Sequence, residues 1–127
     1  MKKVGVITTN RVFAQSLVTA INTRTELQFE VFSLLNQYQV ALDAEVLKLD
    51  VALIDVIDGR MKEVAAVLEL CQKLRQVVPD CRFLLLVSQD DAAGREMAIA
   101  AIRENQADDF VFYDTSLDYL VAKLAAI

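Results

Sequence analysis

The sequence predicts a doubly wound α/β domain, with a five-stranded parallel sheet and helices on both faces. Three observations carry that prediction. Short apolar runs alternate along the chain with longer segments of helical periodicity. Two of the runs, Val51-Ala-Leu-Ile54 and Phe83-Leu-Leu-Leu-Val87, contain no polar residue, as central strands covered on both faces require. Alternation of strand and helix forces crossover connections, whose right-handedness leaves helices on both sides of a parallel sheet.

Each element has its own local reason. Val4 to Ile7 form the first strand, and the Thr-Thr-Asn that follows is suited to starting a helix. In that first helix Val12, Phe13, Leu17, Ala20 and Ile21 recur at helical spacing and should face inward. Leu27, Phe29 and Val31 alternate with Gln28 and Glu30, the period of two expected for a second strand. Val40, Leu42, Val46, Leu47 and Leu49 mark a second helix, and Val51 to Ile54 the third strand, ending at Asp55. Asp58-Gly59 signals a turn.

The second half repeats the alternation. Val64, Val67, Leu68, Cys71, Leu74 and Val78 form the clearest helical stripe, which Pro79-Asp80 ends. Phe83 to Val87 is the fourth strand. Asp90 or Asp91 caps a fourth helix with Met97, Ala101 and Ile102 on its inner side, and Phe110 to Phe112 is the fifth strand. Ser116 caps a last helix carrying Leu117, Leu120, Val121 and Leu124.

Composition narrows the function classes. The 127 residues suit one domain spanning 1–127, and 55% hydrophobic with 24% charged residues fits a compact globule. A net charge of −5 argues against direct nucleic-acid binding. No apolar stretch approaches the ~20 residues of a membrane span, and the amino-terminal run is too brief for a signal-peptide core. Two cysteines and no histidine make neither a disulfide framework nor a zinc site. Cys71 falls on an apolar stripe and reads as a core thiol. The expectation is a cytoplasmic protein with no membrane partner.

In an open α/β sheet, sites form outside the carboxyl ends of the strands. There the chain places Thr8, Thr9 and Asn10 after the first strand, Asp55 after the third, Ser88 after the fourth, and Tyr113 and Asp114 after the fifth. Thr8, Thr9, Asn10 and Ser88 all suit helix capping. Asp55 suits either a loop hydrogen bond or chemistry.

These positions also carry a resemblance. Over essentially its whole length the chain resembles the receiver domain of bacterial response regulators. Asp50-Val-Ala-Leu-Ile-Asp55 resembles the family's third strand with its phosphoacceptor aspartate, and Val87-Ser88 the end of its fourth. Ala107-Asp-Asp-Phe110-Val-Phe-Tyr113 resembles its fifth, with Phe110 at the switch-aromatic position. The resemblance implies a flavodoxin-like (βα)5 sandwich with strand order 2-1-3-4-5.

The departures bear on function. Receivers end the first strand with an acidic pair that holds Mg²⁺, and here Thr8 and Thr9 stand instead; Tyr113 stands in place of the fifth-strand lysine. The usual proline after the acceptor is also missing. A carboxylate ~4 Å from a unit charge gains roughly 4 kcal/mol at an effective dielectric of about 20, an attraction neutral hydroxyls do not supply. The expectation is therefore an atypical receiver, a non-enzymatic protein-interaction domain with no cofactor and no conventional Mg²⁺-dependent phosphorylation.

The resemblance implies an interaction face on the fourth helix, fifth strand and fifth helix, including Arg103, Asp109, Asp118 and Lys123. That face would serve a homodimer, a protein partner or a fused effector, such as a DNA-binding module or a ParA/MinD-type ATPase. The chain would then be a stand-alone adaptor or the front of a longer regulator. Two alternatives stay open. One is a competent receiver phosphorylated on Asp55, drawing metal ligands from Asp58 or Asp114. The other is a phosphate or small-ligand binder that uses Thr8 to Asn10 and the helix amino end.

Overall fold

The structure, a computed structural model, describes residues 1–24, 29–36, 38–56 and 61–127, the side chains of 61–64 excepted. In chain order the elements are β1 (Lys2–Ile7), α1 (Arg11–Asn22), β2 (Phe29–Leu34), α2 (Val40–Leu47), β3 (Val51–Val56), α3 (Met61–Val77), β4 (Arg82–Val87), α4 (Ala92–Arg103), β5 (Asp109–Phe112) and α5 (Leu117–Ala126). The strands form one parallel sheet in the order β2-β1-β3-β4-β5. Both the fold class and the strand order match the expectation from sequence.

The period of two in each strand divides the core into two layers. Val4, Val6, Val51, Leu53, Leu84 and Leu86 meet Ala14, Leu17 and Ile21 of α1 and Leu120, Val121 and Leu124 of α5. Their alternates, including Ala52, Ile54, Phe83 and Leu85, meet α2, α3 and α4 through Val40, Ala44, Cys71, Leu74 and Ala98. The runs without polar residues are therefore buried on both faces, as the central position of β3 and β4 demands.

Caps set several helix starts. The Asn10 side chain accepts the Phe13 N–H at 3.0 Å, and the Ser116 hydroxyl accepts the Tyr119 N–H at 3.1 Å. Of the two candidates for α4, Asp91 is the cap, accepting the Gly94 N–H at 3.0 Å. Ser88 is therefore not that cap. It lies three residues too early, and its carbonyl accepts the Asp91 N–H instead.

Several inward assignments need correction. Val12 is 75% exposed, because the inner stripe of α1 runs through Ala14, Leu17, Val18 and Ile21. Among the described residues β2 starts at Phe29 and continues to Leu34, farther than the alternation suggested. Leu27, Asp58-Gly59 and the Val64 side chain lie outside the described residues. In α2, Leu42 and Val46 are 60% and 71% exposed, while Val40 and Ala44 form the inner side. Leu49 is buried but follows the helix, beyond Lys48 in left-handed conformation (φ 56°). Asp55 lies inside β3 rather than after it.

At the amino edge of the sheet a polar knot joins three elements. Asp108 accepts the Phe83 N–H at 2.7 Å and pairs with Arg75 at 3.1 Å and Arg82 at 3.3 Å. Arg75 also donates to the Cys81 carbonyl and lies 4.1 Å above the Phe83 ring. Cys71 and Cys81 are free and buried, and burial pushes their thiols up to about 11 and about 12. Thiols so seldom ionised are inert core groups.

Candidate functional site

Thr8 and Asp55 meet where the strand order reverses. β1 and β3 are neighbours in the sheet, and their connections leave in opposite directions, which opens a crevice at their carboxyl ends. The Thr8 hydroxyl donates to Asp55 Oδ2 at 2.6 Å and accepts the Asn10 N–H at 3.0 Å. Thr8 is buried, whereas Thr9 is exposed. Asp55 Oδ1 is also buried, with no hydrogen-bond partner among the described residues. Burial raises the Asp55 carboxyl above its ordinary range, and the Thr8 hydrogen bond only partly offsets this.

Beside this pair lies a cavity of about 600 Å³ that opens between α2 and α3. Thr8, Thr9 and Asp55 form its polar end, and Leu34, Leu35, Tyr38, Ala41, Val67 and Leu70 supply its apolar lining. Glu69 and Lys73 stand on the same wall, one of each charge. Sequence reasoning missed this wall. Its one signal was a second helix more uniformly apolar than a single inward stripe requires.

The other predicted positions are dispersed. Tyr113 packs edge-on against Phe13 in the first turn of α1, with ring centroids 5.6 Å apart. In the sheet β3 and β4 separate β1 from β5, so this contact bridges their carboxyl ends on the α1–α5 side. Tyr113 makes no hydrogen bond to Asp55 among the described residues. Ser88 is half-buried at the end of β4, and Asp114 is exposed. Phe110 is half-buried against the α2–α4 layer, with its ring edge-on to Phe112 at 5.5 Å.

The charged residues of the predicted interaction face divide. Lys123 and Asp109 pair at 2.6 Å, joining α5 to β5, and Arg103 is exposed at the end of α4. That hydrogen bond to Asp109 raises the Lys123 ammonium above its usual range. Asp118 belongs elsewhere. It pairs with Arg24, just beyond α1, because five residues of helix turn it roughly 140° away from Lys123.

No family model matches the sequence, and neither does any curated protein. Solved structures do match. A DNA-binding response regulator of the LuxR family from Staphylococcus aureus superposes with a TM-score of 0.74 at 16% identity, covering 99% of this chain and 98% of that one. A chemotaxis protein from Vibrio cholerae gives 0.74 at 15% identity, with 100% and 98% covered. A protein described as pilus assembly-related from Burkholderia pseudomallei gives 0.73 at 17% identity, with 99% and 88% covered. The fold is that of a response-regulator receiver domain.

Within the receiver fold the implied cation is Mg²⁺, which demands hard oxygen ligands in near-octahedral array. The donors among the described residues do not suit it. Asp55 and Glu69 are the carboxylates in the described crevice lining; burial disfavours the ionised form of Asp55, and one of its oxygens is already held by Thr8. Among the described residues no group of three acidic, histidine or cysteine side chains could hold a metal ion. None of the described helices is long and apolar enough to cross a membrane.

Proposed function

We propose that this chain is a pseudo-receiver, a cytoplasmic, non-enzymatic regulatory domain that works through protein contacts without Mg²⁺-dependent phosphorylation of Asp55. The observation that carries this reading is the Thr8 hydroxyl on Asp55 Oδ2 at 2.6 Å. Phosphoryl transfer depends on cations that neutralise charge on the transferring oxygens. Here the acceptor carboxyl is matched with a neutral hydroxyl, and Tyr113, at the lysine position, packs on Phe13 and brings no cation. Burial disfavours the ionised form of Asp55, the form that would attack phosphorus, which supports the same reading.

The contact surface we propose is the edge formed by α4, β5 and α5. β5 is an edge strand of four residues, and Ile99 of α4 and Tyr119 of α5 stand exposed on the flanking helices. Arg103 and the Asp109–Lys123 pair add charge to that edge, whereas Asp118 serves the α1 side. Its partner is a second copy, a separate protein or a fused effector. Similar structures include a DNA-binding regulator and a pilus assembly-related protein, which fits a domain able to serve different outputs.

The test is intact-mass measurement after incubation with acetyl phosphate and Mg²⁺. The native protein should gain no phosphoryl group, whereas a variant combining Thr8→Asp, Thr9→Asp and Tyr113→Lys should gain one. A phosphoryl gain by the native chain that disappears in Asp55→Asn would establish a competent receiver instead. Sedimentation velocity addresses the interaction face. A dimer dispersed by Arg103→Glu with Lys123→Glu assigns that face to self-association, and a dimer indifferent to both substitutions removes it.

A further inference from the structure

The crevice between α2 and α3 is built for a different chemistry from the anion site that its threonines suggest. An anion beside Asp55 needs free donors, and the Thr8 hydroxyl and the Asn10 N–H next to that carboxyl are committed. The Thr8 hydroxyl gives its proton to Asp55 and takes the Asn10 N–H, while the Asn10 side chain is held by the Phe13 N–H. An entering phosphate or carboxylate would instead meet the Asp55 carboxyl.

What Asp55 lacks is a second donor. Asp55 Oδ1 is buried without a partner among the described residues, and such an acceptor gains from any N–H brought to it, more so from a charged one. The remaining wall, with Leu34, Leu35, Ala41, Val67 and Leu70, is apolar, and its volume of about 600 Å³ matches that of small-molecule sites. Tyr38, 88% exposed, extends the lining outward on the α2 side. Glu69 and Lys73 carry opposite charges, so the net preference of the lining is set at Asp55.

We infer that this crevice binds a small apolar molecule carrying a nitrogen donor, of the amine or amidinium class. Its N–H groups meet Asp55 Oδ1, and its hydrocarbon or aromatic body lies between α2 and α3. The site lies apart from the α4–β5–α5 edge, and it rests on the pseudo-receiver reading in that Asp55 stays unphosphorylated. It goes beyond the pseudo-receiver reading, because it supplies a chemical input to a domain that does not use phosphate.

The test is an amide NMR titration with three matched probes: phenethylamine, phenylethanol and phenylacetate. The amine should give saturable shifts clustered at Leu34, Ala41, Asp55 and Val67, and bind at least about tenfold more tightly than the acid. Asp55→Asn keeps an acceptor for Thr8 and should erase most of the amine's advantage over the acid. Ala41→Phe, which fills the crevice, should weaken all three, with the remaining amide spectrum verifying its fold. Equal binding of amine and acid would overturn the inference. So would amine shifts scattered over the acidic surface, or an amine preference that survives Asp55→Asn. Absence of saturable shifts with all three probes at millimolar concentration would likewise overturn it.

Discussion

Asp55 has one described neighbour that favours its charged form, the Thr8 hydroxyl, and a larger opposing influence, its burial. The folded-state pKa is therefore raised above the ordinary value of 3.8. Between that value and the raised one the folded chain binds more protons than the unfolded chain, so stability falls as pH rises through this window. Asp55→Asn should thus be more stable than the native protein at pH 7, and its advantage should vanish once both forms are neutral at acid pH. Urea unfolding at the two ends of the window checks this, and a native protein that gains stability with rising pH would contradict it. Thr8→Val acts in the opposite sense. It removes the hydrogen bond to Asp55 Oδ2 and should cost about 1–3 kcal/mol, while raising the Asp55 pKa further. Carboxyl-carbon NMR titration reads the second effect directly.

At the scale of elements, α2 shows where sequence periodicity stops being informative. Val40, Leu42, Val46 and Leu47 are all apolar, so spacing alone does not separate the packed side from the open one. The fold resolves it, burying Val40 and Ala44 and leaving Leu42 and Val46 outside. Replacing Leu42 and Val46 together by Ser should change stability by no more than about 0.5 kcal/mol per site. Val40→Ala removes fully buried methyl groups and should cost about 2 kcal/mol. Thermal melts of the two variants decide the point, since a severe loss in the double Ser variant would mean that the outer stripe is packed. The caps were more legible, because Asn10, Asp91 and Ser116 act through short side chains on their own helix starts. Even there Thr8, read as a capping residue, was taken up by Asp55 from a strand 47 residues away.

Across the whole molecule, sheet and helices are held together at opposite ends by different means. At the carboxyl end a cavity lies between the start of α2 and α3, beside the ends of β1 and β3. At the amino end Asp108 binds Arg75, Arg82 and the Phe83 N–H, joining α3, β4 and β5. Asp108→Ala would strand the Arg75 and Phe83 donors, which are partly buried on α3 and β4, and should cost about 2–3 kcal/mol. It should also leave probe binding at the crevice intact if the two ends are independent. Denaturant unfolding gives the first quantity and NMR titration the second.

The sequence by itself determined the architecture. Runs such as Val51–Ile54 and Phe83–Val87 must be buried on both faces, and their alternation with helices permits few arrangements besides a doubly wound sheet. It also showed that Thr8, Thr9 and Tyr113 are uncharged at the positions where the resemblance implies charged groups, because a residue's charge is local information. Only the tertiary structure decided which polar atoms satisfy one another. Thr8 with Asp55, Tyr113 with Phe13, and Asp118 with Arg24 are long-range partnerships that no local spacing encodes. The crevice has the same origin. Three strand ends and two helices wall it, and the space left between elements is a property of their packing rather than of any one of them.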